Sequence, residues 1–167
     1  MIVLGVDPGI ATTGFGVVAR GRDGAVSLLE CGVIRTCAGT PLADRLREIY
    51  EGVRDVLGRR PADVMAVEGV FVGRNVRTTV VLGHARAAVL LAGSLHGVSV
   101  LEYSPAEIKS AVVGTGRATK DQVQFMVQRA LRLKEPPRPA DAADAVAVAL
   151  CHCGAGTMKA RLAAAAR

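Results

Sequence analysis

The sequence predicts an α/β fold built on a mixed five-stranded sheet, in which three antiparallel strands precede two parallel strands and helices cover both faces. Three observations lead to this class. Residues 1–35 hold three apolar runs separated by turn residues, residues 62–102 alternate strand and helix patterns, and the remainder is helical. A strand-helix-strand series favours parallel strands joined by right-handed crossovers. Half of the 167 residues are hydrophobic, which is enough for one buried core.

The first three strands are predicted to form an antiparallel meander. Residues 2–6 are a short apolar run that stops at the turn sequence Asp7-Pro8-Gly9. Residues 14–20 and 26–35 are predicted as two further strands, and Gly21-Arg22-Asp23-Gly24 between them is typical of a hairpin turn.

The middle of the chain alternates helices with strands. Thr40 and Pro41 predict a helix start with Thr40 as its cap, and an amphipathic pattern continues to Leu57 before Gly58 ends the helix. The elements that follow are a strand over 62–67 leading to Glu68, a helix over 76–96 that is rich in small residues, and a strand over 98–102.

The last third of the chain is predicted to be helical. Its elements are a short helix that begins at Ser104-Pro105, a break at Gly114-Thr115-Gly116, a helix capped by Thr119 that runs to about Leu133, and a final helix from Ala140 to about Cys153. We expect one domain over residues 1–153 and a flexible tail over residues 154–167.

Charge and hydropathy limit the function classes. The formal net charge is +6, and arginine supplies most of the positive charge, which favours a nucleic-acid partner. No apolar run approaches the roughly 20 residues of a membrane-spanning helix, and the first residues show no basic leader. We therefore expect a cytoplasmic protein without a membrane partner.

Four carboxylates stand at positions that suggest chemistry. Asp7 and Glu68 each follow an apolar strand directly, while Asp141 and Asp144 are three residues apart on the last helix and share a face. Asp7-Pro8-Gly9 is also an ordinary turn, and Asp141 also suits a helix N-terminus. If the first and fourth strands are parallel neighbours, however, all four acids can meet at the carboxyl edge of the sheet.

Such a cluster calls for hard divalent cations. Two ions about 4 Å apart can bind a scissile phosphate, activate water and stabilise the leaving oxygen. Together with the basic composition, the acids point to phosphodiester hydrolysis.

The ordered motifs resemble those of the RuvC family of Holliday-junction resolvases. They are Gly5-Val6-Asp7-Pro8-Gly9, Glu68 with Phe71, Val112-Val113-Gly114-Thr115-Gly116 leading to Lys120-Asp121-Gln122-Val123, and Asp141-Ala142-Ala143-Asp144-Ala145. The resemblance implies a ribonuclease-H-like fold, a homodimer, Mg²⁺ or Mn²⁺ with two ions per active site, and paired nicks across four-way junction DNA. It also implies RuvA and RuvB as branch-migration partners.

The same resemblance assigns site residues. By position, Asp7, Glu68, Asp141 and Asp144 match the acidic tetrad that is catalytic and binds metal in the family. Some relatives carry His at the position of Asp141, and Gly69 stands where relatives often have a polar residue.

A DNA-facing surface is expected beside the acids. Phe71 lies in a glycine-containing loop, and an exposed ring there can stack on an unpaired base. An ordinary packed loop anchor is the alternative. The expected phosphate contacts are Arg74, Arg77, Lys109, Arg117 and Lys120, and of these Lys109 and Lys120 resemble basic residues that the family places near the scissile strand. A solvated charged face remains the alternative for each.

Two other functions are consistent with parts of the pattern. The Asp7-x-Gly9 turn also occurs in actin-like and sugar-kinase ATPases, although the chain lacks a Walker-type loop. A non-catalytic junction-binding protein on the same scaffold is the third hypothesis. For the homodimer, the small residues around Gly83 and Ala87 are the candidate interface.

Overall fold

The computed structural model describes residues 1–69 and 76–165, with side chains as far as residue 154. Within these ranges the strands and helices follow the predicted order. The strands are β1 (Ile2–Asp7), β2 (Thr12–Arg20), β3 (Val26–Arg35), β4 (Val64–Glu68) and β5 (Ser99–Tyr103). The helices are α1 (Leu42–Arg59), α2 (Val76–Leu95), α3 (Pro105–Val113), α4 (Lys120–Ala130) and α5 (Ala140–Ala165).

The five strands form one mixed sheet in the order β3-β2-β1-β4-β5. The pairs β1–β2 and β2–β3 are antiparallel, whereas β1–β4 and β4–β5 are parallel. The predicted mixed sheet is therefore confirmed, and the first and fourth strands meet the condition under which the acids can converge, because they are parallel neighbours. Since Val6 pairs with Val67, the next residues, Asp7 and Glu68, lie side by side at the carboxyl ends of two parallel strands.

Helices cover both faces of this sheet. Alternate side chains of β1 belong to different cores: Val3 packs with α3, α4 and α5, and Leu4 packs with α1 and α2. This alternation is the ordinary consequence of the strand period of two residues. Asp7 is an even number of residues from Val3, so its side chain points toward the face that α5 covers.

Glycines allow α5 to lie directly on the sheet. A methyl group on Gly5 would lie 2.6 Å from the backbone nitrogen of Ala149 and would overlap the carbonyl oxygen of Ala145. A methyl group on Gly14 would overlap the carbonyl oxygen of Asp141. Only a residue without Cβ permits this approach, which sets the N-terminal turns of α5 above β1 and β2.

Several predicted helix ends were wrong. Pro41, and not Thr40, occupies the cap position of α1, and no side chain caps this end. Gly58 lies inside α1 and does not end it. The helix α4 ends at Ala130, because Arg132 just beyond it adopts a left-handed φ of 53°. The backbone of α5 is helical to Ala165, well beyond the expected end near Cys153.

The expectation about apolar runs also needs correction at α2. An 18-residue stretch of this 20-residue helix has a mean hydropathy of 1.4, so its length and composition alone would suit a membrane span. Its packing suits a helix of a folded domain, because Ala85 and Val89 are buried in the core and Arg86 forms an ion pair with Glu102 of β5. Its outer face, in contrast, exposes large apolar side chains.

Candidate active site

Three acidic side chains from two distant parts of the chain converge above the sheet. Carboxylate oxygens of Asp7, Asp141 and Asp144 lie within 4.8 Å of one another. Glu68 joins the group through a side-chain hydrogen bond with Asp7. β1 and β4 position Asp7 and Glu68 at neighbouring strand ends, while the first turns of α5 carry the other two acids. The four acids that the sequence singled out are thus brought together.

A cleft of about 270 Å³ opens beside these acids. Its polar lining comes from Asp7, Glu68, Asp144, Lys109 and Lys120, and its apolar lining comes from Pro105, Ile108, Val123 and Ala147. The apolar wall belongs to α3, α4 and α5, and it reduces the access of water to one side of the carboxylates. Pro105 and Ile108 were not predicted as residues of the site. The pattern of a short helix does not indicate which helix or strand its side chains will face.

Burial and mutual repulsion dominate the electrostatics of the acids. Burial, followed by the charges of Glu68, Asp144 and Asp141, raises the pKa of Asp7 to about 8. Burial, followed by the charge of Asp144, also raises the pKa of Glu68. In the hydrogen bond between them, a protonated Asp7 donates to Glu68. Without a cation, the four acids therefore do not all ionise at neutral pH.

Two lysines supply positive charge to this cleft. The Lys120 ammonium lies 2.6 Å from Oδ2 of Asp144, and this hydrogen bond raises the pKa of Lys120. Lys109 on α3 lies on the cleft wall and, with Lys120, opposes the upward shift in the pKa of Glu68. Thr119 caps α4 by accepting a hydrogen bond from the Gln122 amide, so Lys120 is fixed at the first position of that helix.

The remaining predicted DNA contacts fall in different places. Phe71 and Arg74 lie outside the described residues. Arg77 is exposed in the first turn of α2, and Arg117 is exposed in the segment between α3 and α4. Phe125 on α4 is 56% exposed, with the Arg129 guanidinium 5.8 Å from its ring centre.

The donor set fits a divalent cation. Carboxylate oxygens are the ligands that hard divalent ions take, and Asp7, Asp141 and Asp144 present them within one ion's reach of each other. The raised pKa of Asp7 also favours a cation site, because a bound cation would relieve the repulsion that keeps this carboxyl protonated.

A ribonuclease-H-like sheet with an acidic metal site at the ends of β1 and β4 defines a class of nucleic-acid phosphodiesterases. The family model for the crossover junction endodeoxyribonuclease RuvC matches residues 3–152. A curated RuvC from Parafrankia sp. (strain EAN1pec) is 50% identical over 99% of this chain and 93% of its own length. The chain belongs to the RuvC family.

Solved structures agree with this assignment. The Thermus thermophilus RuvC structure superposes with a TM-score of 0.88 at 40% identity, covering 95% of this chain and 97% of that one. A second structure, T. thermophilus RuvC in complex with Holliday junction substrate, gives a TM-score of 0.86 at 37% identity, covering 95% and 96%. The protein is accordingly a structure-selective, metal-dependent DNA endonuclease that resolves Holliday junctions in recombination and repair.

Replacing Asp7 should stabilise the metal-free protein. A pKa raised from 3.8 to about 8 on folding means that folding is favoured while Asp7 is protonated and that this stability is lost as pH rises through about 8. Asp7→Asn cannot ionise, so at pH about 8 its free energy of unfolding should exceed that of the parent by at least about 2 kcal/mol. Urea unfolding in a chelator at pH about 5 and about 8 measures this difference.

The control for that measurement is Asp55→Asn, because Asp55 is exposed and pairs only with its neighbour Arg54 among the described residues. It should change stability by less than about 0.5 kcal/mol at either pH. Equal stability of the parent at both pH values would contradict the interpretation of the acid cluster.

Removing Lys120 should tighten metal binding. Its ammonium and a divalent ion compete for the same Asp144 oxygen, so Lys120→Gln should bind Mn²⁺ about tenfold more tightly in the absence of DNA. Lys109→Gln is the matched control, since it removes the same charge from the same cleft but breaks no ion pair with a described carboxylate. Calorimetric titration compares the two, and equal effects would show that Lys120 does not occupy the ion's position.

Proposed function

We propose that Asp7, Glu68, Asp141 and Asp144 are the catalytic ligands of two Mg²⁺ or Mn²⁺ ions in each active site. The observation that carries this proposal is the convergence of three carboxylates within 4.8 Å, with Glu68 bonded to the same Asp7. Asp7 is the central ligand because it lies next to Asp141 and Asp144 of α5 and also next to Glu68 of β4. When bound, the ions supply an activated water and charge stabilisation for the leaving oxygen.

The lysines and arginines would bind the DNA strand. Lys120 and Lys109 lie in the cleft beside the acids, so they can neutralise a phosphate that enters it. Arg77 and Arg117 are exposed cations that can contact the backbone farther from the cut. From the sequence, Arg74 would add a phosphate contact and Phe71 would stack on a base at the junction centre.

We infer a homodimer that uses the outer face of α2. Val80, Leu91 and Leu95 are 52%, 53% and 67% exposed along one stripe of this helix, and Ala87 lies on the same stripe. An apolar groove of about 440 Å³ between α1 and α2 adjoins it. A second copy is the occupant that fits, because two symmetric nicks need two active sites and an isologous helix contact would cover both stripes together.

Two further proposals follow from the function. RuvA and RuvB would deliver the junction by branch migration, as the family resemblance implies. We place the protein in the cytoplasm, where its DNA substrate lies.

The proposed ligands can be tested by cleavage of a synthetic four-way junction with end-labelled strands. The parent protein should cut in Mg²⁺ or Mn²⁺, and Asp144→Asn should lose about a hundredfold or more in rate while still binding the junction. Asp121→Asn makes the same chemical change on an exposed helix turn outside the cleft and should cut normally.

Uncut junctions from folded parent protein in both ions would overturn the proposal. That result, combined with tight junction binding, would favour the non-catalytic binding protein instead.

The proposed dimer face can be tested by introducing one charged side chain on α2. Leu91→Glu would bury a carboxylate in an apolar contact, so we expect monomers in sedimentation analysis and single, uncoordinated nicks in place of paired ones. Leu29→Glu alters an exposed leucine on β3 and should leave the dimer intact. A Leu91→Glu protein that stays dimeric would place the interface elsewhere.

A further inference from the structure

The backbone of the turn between β1 and β2 is fixed by several hydrogen bonds. It begins directly after Asp7, and the backbone oxygens of Gly9, Ile10 and Ala11 each accept a hydrogen bond from another part of the chain. The Thr13 hydroxyl donates to the Gly9 oxygen at 2.8 Å and accepts from the Gly9 amide at 3.3 Å. Within the described ranges, Thr13 is the one polar residue that is fully buried.

Two further elements reach the same turn. Thr36, just after β3, donates from its amide to the Ala11 oxygen at 3.1 Å and from its hydroxyl to the Ile10 oxygen. Arg45 of α1 donates from Nη2 to the Ile10 oxygen at 3.0 Å and from Nε to the Thr36 hydroxyl at 2.8 Å. Residues from β2, from the segment just after β3 and from α1 therefore converge on three consecutive carbonyls.

Arg45 differs from other arginines of α1 in what its guanidinium binds. Arg47 is exposed and pairs with Asp44, and Arg54 pairs with Asp55. Arg45 is half-buried, and its guanidinium donates to a neutral carbonyl and a neutral hydroxyl. Hydrogen bonds from a charged guanidinium are stronger than those from a neutral donor, so the two bonds of Arg45 hold the turn in one geometry.

The acid cluster explains why that geometry matters. Glu68, Asp144 and Asp141 all act on Asp7, and β1 pairing with β2 ends at Asp7 itself. Asp7 is followed directly by Pro8 of the turn and pairs with Gly14 on the far side of it, so the position of the turn affects Asp7 from both sides. If the turn shifts, the carboxylate moves away from its repelling neighbours.

We propose that Arg45 is a positioning residue for cleavage: through Thr36 and the Ile10 carbonyl, it fixes the β1–β2 turn and thereby holds Asp7 against the other acids. The proposal rests on the function assigned to Asp7 above. Arg45 touches neither the acids nor the cleft, so it acts only through the turn.

The test compares Arg45→Met with Arg54→Met in the chain of 167 residues. The first removes the clamp, and the second removes an exposed arginine from the same helix. In single-turnover cleavage of a saturating junction, Arg45→Met should be slower by about tenfold, since small displacements of reacting groups are costly. Its affinity for the junction, measured in chelator, should stay within about twofold of the parent.

A second measurement does not depend on cleavage. Calorimetric titration with Mn²⁺ reports the cluster directly, and Arg45→Met should weaken Mn²⁺ binding by about fivefold. Thr36→Val removes the bridging hydroxyl with little change in shape, and it should reproduce both effects if Arg45→Met unfolds. Thr36→Ser should restore them.

The outcomes are distinguishable. Parent-like Mn²⁺ affinity and cleavage rate in folded Arg45→Met and Thr36→Val would overturn the positioning role, while leaving the nuclease assignment intact. A parent protein that binds Mn²⁺ but cuts no junction would overturn the assigned function, and the Mn²⁺ comparison would still decide the role of Arg45.

Discussion

Repulsion among carboxylates at the shared end of β1 and β4 is the constraint on which the rest of the molecule depends. Burial and three neighbouring acids raise the pKa of Asp7 to about 8, so the protein keeps an arrangement that costs stability without a cation. Lys120 reduces this cost through its ion pair with Asp144. If the proposed metal ion binds Asp144, this ammonium would leave that oxygen and become available to a phosphate in the cleft.

The scaffold holds the acids in place from opposite sides. Gly5 and Gly14 let α5 approach the sheet so closely that the backbone of Asp141 contacts β2, which places the helix acids over Asp7. On the other face, Thr13, Thr36 and Arg45 fix the turn that follows β1. The close approach of α5 and the hydrogen bonds of the turn place no charged group in the cleft. Both limit how far Asp7 can move from the neighbouring acids.

The sequence predicted what depends on local patterns and on connection rules. The strand-helix-strand series predicted two parallel strands at the end of a mixed sheet. The adjacency of β1 and β4, which brings the acids at both strand ends together, was only a condition at that stage, and the structure meets it. Contacts between distant segments carried no such signal: the pairing of Lys120 with Asp144 and the clamp of Arg45 both depend on where helices dock.

The acid cluster also argues against a protein that only binds junctions. DNA is a dense polyanion, and four carboxylates beside the strand would oppose its binding unless cations neutralise them. A binding protein would gain both stability and affinity by replacing Asp7 with a neutral residue. Four acids around a cleft that also holds Lys109 and Lys120 favour chemistry at the phosphate over binding alone.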